Sequence, residues 1–284
     1  MVVNHPGQGS DDISLGIFLW GYLSGDIFGA RSSATRTRSP RVRSNHGAYR
    51  AFDTVSPELT SGPIYLYSIC PRPSQPLVLP LGLAEPTQLI AVDDVAALVE
   101  TGVDLATLQA DEPRLLNAVL SHDRVICELF QHTPLLPLRF GTQIASIDHL
   151  KDHLSNQRAD YTAKLAILAP KVEYQIKLIA REVALPPLAT GLTGRDYFLA
   201  KKQRLQDQTT AQAQQQQELD QVLDHIHSAY GDSIEAEAPE GEARIYVLVD
   251  RGDTTLPQWV EAVRSQAPQW DLILSEPLPP YHFV

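Results

Sequence analysis

The sequence predicts two domains, each of which combines short strands with helices. Its length of 284 residues exceeds the usual size of one domain, and its 43% of hydrophobic residues can bury a substantial core. Short apolar runs typical of strands alternate with longer stretches of helical periodicity. Pro170 separates a helical pattern from an alternating strand pattern. We therefore expect one domain over residues 62–169 and a second over residues 170–284.

Residues 1–61 differ in composition from the rest of the chain. Four glycines and Asp26 interrupt an apolar stretch at 13–30, which falls short of a membrane span, and acidic residues precede it, unlike in a signal peptide. Six arginines follow between Arg31 and Arg50, with no acidic residue before Asp53. We interpret residues 1–61 as a mobile, partly basic extension or as an over-long reading frame, with a tether for an acidic surface as the alternative.

The elements of the first domain follow from Pro and Gly punctuation and from apolar spacing. Asp111 and Pro113 mark the start of a helix that ends near Pro134. Apolar residues at spacings of three, four or seven predict a second helix over 147–168. The short apolar runs indicate an antiparallel sheet, with Pro137 at an edge or bulge; they lie at 63–70, 77–81, 88–92 and 135–141.

The second domain contains an unusually long predicted helix. It begins after Thr193, which forms a capping-box pattern with Asp196, and no Pro or Gly occurs between Arg195 and Gly231. Its polar middle, 206–218, predicts a solvated helix or a surface for another chain. Strands at 171–179, 243–249 and 270–274 and a helix at 255–266 complete a β-α-β-α-β order, which implies an α/β or α+β domain.

Neither the composition nor the motifs indicate a catalytic, metal-binding or cofactor-binding site. The net charge of −11 argues against a nucleic-acid binder. Cys70 and Cys127 lack the spacing of a zinc or redox motif, which fits a reducing cytoplasm, and the pair His149 and His153 lacks the glutamate of a zinc-protease motif. We therefore expect no catalytic, metal-binding or cofactor-binding residues.

One polar group leaves two interpretations open. His122 and Asp123 lie on the first predicted helix, and Arg139 lies on the strand that follows it. They are expected to form a buried polar network that fixes helix to strand, because no nucleophile or metal set accompanies them. The alternative is a soluble enzyme with a polar site around His122, Asp123 and Arg139.

The last ten residues are apolar and proline-rich instead of polar. Two adjacent prolines, Pro279 and Pro280, precede Tyr281, and Phe283 lies one residue from the end. Apolar side chains of this kind are expected to be covered. The segment therefore either seals its own domain or docks onto a neighbouring protein.

Six motifs, in this order, resemble those of the gas vesicle protein F/L family over about 64–284. Residues 1 to about 60 have no counterpart in that resemblance, and Tyr174 stands where the family often has tryptophan. The motifs are Ile64-Tyr-Leu-Tyr-Ser-Ile69, His122-Asp-Arg-Val125, Leu135-Leu-Pro-Leu-Arg-Phe-Gly-Thr142, Lys171-Val-Glu-Tyr-Gln-Ile-Lys177, Gly194-Arg-Asp-Tyr-Phe-Leu199 and Pro277-Leu-Pro-Pro-Tyr-His-Phe-Val284.

The resemblance implies two α+β domains of the ferredoxin-like type, each a small mixed or antiparallel sheet with packed helices, the second with the long helix. It implies a non-enzymatic accessory protein of gas vesicle formation, located at the gas vesicle and in the cytoplasm, without cofactor, nucleic acid or membrane span. The implied partners are the small hydrophobic protein of the vesicle wall and other accessory proteins. The expected partner-binding residues are Arg139, Phe140, Pro279, Pro280, Tyr281 and Phe283. Delivery of the wall protein, nucleation and a minor structural role all remain open.

Overall fold

The computed structural model describes residues 62–182, 187, 191 and 193–284. The extension predicted over 1–61 lies outside the described residues. The chain divides into two compact units, of which the first ends at Ala169 and the second runs from Pro170 to Phe283. Among the described residues, no helix is both long and apolar enough to cross a membrane.

The described residues of the first unit form five strands and three helices. These elements are β1 Ile64–Pro71, β2 Gln88–Val92, β3 Val95–Thr101, α1 Leu105–Gln109, α2 Glu112–Phe130, β4 Leu136–Pro137, β5 Gln143–Ile144 and α3 Ile147–Leu168. The strands form an antiparallel sheet in the order β2-β3-β1-β4, with β5 also paired to β1. Helix α2 packs on β1, and α3 packs on β1, β2 and β3.

Local chemistry explains where these helices begin. Asp111 occupies the N-cap of α2, and Pro113 lies in the first turn, where its missing N–H costs no hydrogen bond. The Ser146 side chain caps α3 by accepting a hydrogen bond from the His149 backbone N–H at 3.3 Å. Strands β1 and β3 are buried along nearly their whole length. Both faces of these strands are therefore covered by other parts of the chain.

For this sheet, the strand predicted at 77–81 was wrong, and one strand was not predicted. Residues 77–81 form no strand beyond an isolated bridge between Leu81 and Pro86, and Val78 is 86% exposed. Strand β3, which pairs with both β1 and β2, was not predicted. The prolines around residues 77–81 prevent regular strand pairing. Strand β3 has no Pro or Gly at its start, and its alanine-rich sequence fits either a helix or a strand.

The described part of the second unit contains four strands and two helices. These elements are β6 Lys171–Ala180, α4 Gly194–Ala229, β7 Ser233–Ala236, β8 Glu242–Asp250, α5 Thr255–Val263 and β9 Trp270–Leu274. The strand order is β7-β8-β6-β9, again fully antiparallel. The element order, β-α-β-β-α-β, is that of a ferredoxin-like fold. The short strand β7 was not predicted, but the α+β class with a long helix is confirmed.

Helix α4 is 36 residues long and continuous, as its freedom from internal Pro and Gly predicted. Among the described residues, the buried side chains of this helix, Val222 and Ile226, lie in its second half. The Gln215 carbonyl accepts a hydrogen bond from the indole of Trp270 at 2.9 Å, and a Glu218 carboxylate oxygen accepts one from the Gln269 backbone at 3.0 Å. The helix is thus anchored beside the start of β9.

Candidate functional site

His122 lies at the centre of a buried hydrogen-bonded chain in the first unit. The His122 side chain is 1% exposed. Its Nε2 lies 3.0 Å from the Leu138 carbonyl, which can only accept, so Nε2 carries the proton and Nδ1 accepts from the Tyr65 hydroxyl at 2.8 Å. The Tyr65 oxygen in turn accepts from the Gly141 backbone N–H at 3.2 Å. The chain joins α2 and β1 to the segment that follows β4.

The surroundings of His122 keep its ring neutral. Burial lowers the pKa of His122 to about 4, and the hydrogen bond to the Leu138 carbonyl opposes that shift. Tyr67 stacks on the imidazole with ring centres 5.2 Å apart, and Phe140 meets it edge-on at 5.7 Å. An aromatic cage with no charged partner for the ring favours the uncharged imidazole and disfavours proton exchange with solvent.

The segment 135–142 forms a turn that returns to β1. The Leu138 backbone N–H donates to the Tyr67 carbonyl at 2.9 Å, and the Leu66 N–H donates to the Thr142 carbonyl at 3.0 Å. Within the turn, both the N–H and the hydroxyl of Thr142 donate to the Arg139 carbonyl, at 3.2 and 2.7 Å. The backbone of the turn is therefore held at both ends, while the Arg139 side chain is exposed.

The structure does not assemble the alternative enzyme site. His122 and Asp123 are buried, whereas Arg139 is exposed at the turn. Both ring nitrogens of His122 are engaged, and an Asp123 carboxylate oxygen lies 3.7 Å from Cys127 Sγ. The predicted link between helix and strand does exist, but it runs through the Leu138 carbonyl and not through Arg139. No group of three His, Cys, Asp or Glu residues suited to a metal ion occurs among the described residues.

A second buried group, which the sequence analysis missed, surrounds Glu100 on β3. Its carboxylate accepts backbone hydrogen bonds from Leu83 at 2.7 Å and from Ala84 and Glu85 at 2.6 Å each, and it also accepts the Tyr67 hydroxyl. Glu100 is 1% exposed. We call this arrangement the Glu100 clamp, because it fixes the loop between β1 and β2 to the sheet.

The Glu100 clamp explains Gly82. A Cβ atom at this position would lie 2.0 Å from a Glu100 carboxylate oxygen and 2.7 Å from the Glu85 carbonyl, so only glycine fits. Farther along the loop, the Thr87 hydroxyl donates to the Pro80 carbonyl at 2.6 Å. No sequence signal indicated the contact between Glu100 and Gly82, because the contact joins residues that are distant in the chain.

In the second unit the C-terminal tail, residues 275–284, continues along β6. The Ser275 backbone N–H donates to the Gln175 carbonyl at 2.9 Å. After two unpaired positions, Leu278 and Glu173 exchange both backbone hydrogen bonds, at 2.8 and 3.0 Å. The tail thus adds to the edge of the sheet after β9 ends, and we expect its backbone to be well ordered.

His282 ties the tail to the sheet. Its backbone N–H and Nδ1 bond the fully buried carboxylate of Glu173 at 2.9 and 2.7 Å, and its ring stacks on Tyr246 with centres 3.5 Å apart. Burial raises the pKa of Glu173, and the hydrogen bonds from His282 oppose that rise. Pro279 and Pro280 are buried. The tail therefore seals part of its own unit.

The six residues expected to bind a partner fall into three groups. Arg139 is exposed, Phe140, Tyr281 and Phe283 are half-buried, and Pro279 and Pro280 are buried. Phe140 packs edge-on against both Tyr65 and His122. The accessible residues are therefore Arg139 at the turn and Tyr281 and Phe283 in the tail.

The described part of the chain defines a protein of two α+β units, the second with the ferredoxin-like element order, in which buried polar groups hold irregular segments against the sheets. Residues 63–284 match the family described as gas vesicle synthesis protein GvpL/GvpF. The chain belongs to this family, which confirms the resemblance read from its motifs and assigns it a role in gas vesicle formation. None of the curated protein sequences matches it.

Two solved structures share the fold. The chain is similar to gas vesicle protein GvpF from Microcystis aeruginosa, with a TM-score of 0.58 and 18% identity over 78% of this chain and 99% of that one. It is equally similar to GvpF from Anabaena sp. PCC7120, with the same TM-score and identity over 78% of this chain and 98% of that one. At this level of identity the comparison supports the fold and carries over no individual residue.

Proposed function

We propose that this protein binds the small hydrophobic protein of the gas vesicle wall in the cytoplasm and assists its assembly, or stays with it as a minor structural component. The family supports a role in vesicle formation. A wall subunit with an apolar face aggregates unless a partner covers it, and an acidic protein of net charge −11 is suited to keep such a complex in solution. The proposed action is noncovalent and needs no catalytic group.

One observation carries the proposal: two family motifs are held rigidly by buried networks, yet each leaves part of its surface accessible. The His122 chain fixes the turn that presents Arg139. The Glu173 and His282 pair fixes the tail that presents Tyr281 and Phe283. Residues already held in one conformation lose little entropy on binding, so such surfaces are suited to recognition.

The buried members of the two motifs have a supporting role in this proposal. Pro279 and Pro280 set the direction of the tail, and Phe140 packs the turn against the cage around His122. Tyr281 and Phe283 would provide apolar and aromatic contact area, and Arg139 would add hydrogen bonds at the other surface. Each unit then contributes its own contact surface.

Co-purification of the full chain with the wall protein tests the proposal. We expect Arg139→Ala and Phe283→Ala each to reduce the amount of retained wall protein by about fivefold or more, the size of a moderate hot spot. Arg114→Ala is the matched control for Arg139, because Arg114 is an exposed arginine of the same unit whose ion pair among the described residues is local, with Asp111. Thermal unfolding of every variant is measured in parallel.

The outcomes separate binding from folding. Loss of the wall protein from variants that unfold at the wild-type temperature supports the proposed surfaces. Unchanged retention in both variants would refute them, and equal loss in the Arg114→Ala control would show that the assay reports net charge instead of a specific contact.

A further inference from the structure

The first half of α4 is exposed. Over residues 194–210 no side chain is buried, and only Ala200 and Arg204 are half-buried. Gln203 bonds Asp207 one turn later at 2.8 Å, which is a contact local to the helix. At the standard rise, these seventeen residues extend about 25 Å beyond the anchored half of the helix. We call residues 194–210 the docking arm.

An apolar stripe continues from the packed half of α4 onto the docking arm. Phe198, Leu205, Leu219 and Ile226 are separated by multiples of seven residues; each step of seven turns a straight α-helix by only about 20°, so they form a slowly winding stripe, interrupted by Gln212. Leu219 is half-buried and Ile226 is fully buried on the unit, whereas Phe198 is 70% and Leu205 64% exposed. Tyr197 extends the apolar surface through an edge contact with Phe198. The stripe is half covered within its own unit and half open.

The docking arm is locally basic in an acidic protein. It carries four basic and two acidic residues in a chain of net charge −11. Arg195 and Lys202, both exposed, occupy positions that flank a heptad stripe, where charge selects the partner helix. A complementary helix would therefore place carboxylates beside its own apolar stripe.

The same charges disfavour two other occupants. Pairing with a second copy would place Lys201 against Lys202 in an antiparallel arrangement, or each lysine against itself in a parallel one. A membrane surface requires a broad apolar face, but Lys201 and Gln208 lie on the same side as Phe198 and Leu205. The narrow stripe fits a helix better than a bilayer.

We propose that the docking arm packs along a helix of a partner protein whose apolar stripe is flanked by carboxylates. This surface is separate from the turn and the tail, and the proposal does not depend on binding of the wall protein. The partner would cover Phe198 and Leu205 with apolar side chains and pair its acidic residues with the flanking basic residues.

Two synthetic helical peptides provide the probe for the full chain. Both have leucine at the seam of a heptad repeat, and they differ only in having glutamate or lysine at the flanking positions. We expect the glutamate peptide to bind at least about tenfold more tightly at low salt, with the difference reduced in 0.5 M salt. Fluorescence anisotropy of labelled peptide measures both affinities.

Three variants show whether binding occurs at the docking arm. Phe198→Ser with Leu205→Ser should weaken binding of the glutamate peptide at least about tenfold. Leu199→Ser is the matched control, since Leu199 is 54% exposed on the same turn but off the stripe, and it should change binding less than about twofold. Arg195→Glu with Lys202→Glu should reverse the preference between the two peptides. All these side chains are exposed, so folding should be unaffected.

Several results would overturn the proposal. Equal affinity for both peptides, or unchanged affinity after loss of Phe198 and Leu205, would show that the arm does not select an acidic helix. Self-association of the full chain that disappears in the Phe198→Ser and Leu205→Ser variant would assign the stripe to a second copy. Binding to phosphatidylserine vesicles with the same dependence on these residues, and without binding of the glutamate peptide, would assign it to a lipid surface.

Discussion

The two units have the same strand order but use different connections between their first and second strands. In both, the order across the sheet is second, third, first, fourth. The first unit connects β1 to β2 through an irregular loop, whereas the path from β6 to β7 in the second unit includes the 36-residue helix α4. One sheet arrangement therefore tolerates either connection, provided that something else anchors it.

Buried carboxylates anchor the irregular segments in both units. Glu100 holds a loop through three backbone N–H groups, and Glu173 holds the C-terminal tail through His282. Neither segment has enough regular structure to satisfy its own backbone groups, so a side chain satisfies them instead. The two anchors differ in their hydrogen-bond donors, which are backbone amides in the first unit and mainly a histidine in the second.

The largest expected effect comes from removing the carboxylate of the first unit. Glu100→Ala leaves the Ala84 and Glu85 N–H groups and the Tyr67 hydroxyl without their acceptor, and leaves the Leu83 N–H with the Tyr67 oxygen at 3.0 Å; it should lower the free energy of unfolding by about 3–5 kcal/mol. Urea unfolding followed by circular dichroism measures this loss. Glu128→Ala is the control, because among the described residues Glu128 forms an exposed pair with Arg124 on α2, and its removal should lower the free energy of unfolding by less than about 1 kcal/mol. If Glu100→Ala lowers the free energy of unfolding by less than about 1 kcal/mol, the loop keeps its conformation without the Glu100 carboxylate.

A smaller loss of stability is expected in the first unit when the pH falls. The pKa of His122 is lowered to about 4 from the 6.5 of an exposed imidazole, so the unfolded chain binds the proton first. Stability of the first unit is therefore complete above pH 6.5 and is lost as pH falls toward 4. The expected loss from this group at pH 5 is about 2 kcal/mol. His122→Gln, which can keep both hydrogen bonds without titrating, should lack this loss.

Hydrogen exchange of α2 amides at pH 7.5 and 5, corrected for intrinsic rates, measures the local stability of the first unit. The comparison between wild type and His122→Gln removes the contribution of the carboxylates that both proteins share. The same pH dependence in both proteins would contradict a buried neutral imidazole.

In the second unit, the pH dependence of stability that Glu173 contributes should have the opposite sign. Burial raises the pKa of Glu173 above 4.5, so the folded state holds that proton more tightly than the unfolded state. The contribution of this group is unfavourable at neutral pH and is relieved as pH falls through the raised pKa toward 4.5. We expect Glu173→Gln to remove this pH dependence. Hydrogen exchange of β6 amides measures it, and an identical pH profile in the variant would place the titration elsewhere.

Regular elements were predictable where one physical signal dominated. The alternation in β6 and the absence of Pro and Gly inside α4 each predicted the element that the structure contains. Pro137 was correctly placed at a sheet edge, although β4 is only two residues long. Strand β3 was missed because its alanine-rich sequence fits a helix or a strand, whereas the strand predicted at 77–81 was wrong because the surrounding prolines prevent regular pairing with a neighbouring strand.

The polar group on α2 shows a different limit. Sequence reasoning identified His122 and its link to the following segment, but it assigned the contact to the Arg139 side chain. The contact is made by the Leu138 carbonyl, one residue earlier. Side-chain spacing cannot show which backbone carbonyl faces a helix, because that depends on how the turn closes.

By itself the sequence determined the two α+β units, the long helix and the family, because periodicity, punctuation and ordered motifs are properties of neighbouring residues. Only the tertiary structure decided which buried groups meet: Glu100 with a loop fifteen or more residues away, and Glu173 with His282 across 109 residues. It also decided which half of the α4 stripe is covered. Such contacts depend on three-dimensional proximity, and the free energy that selects them arises only when the sheets and helices pack.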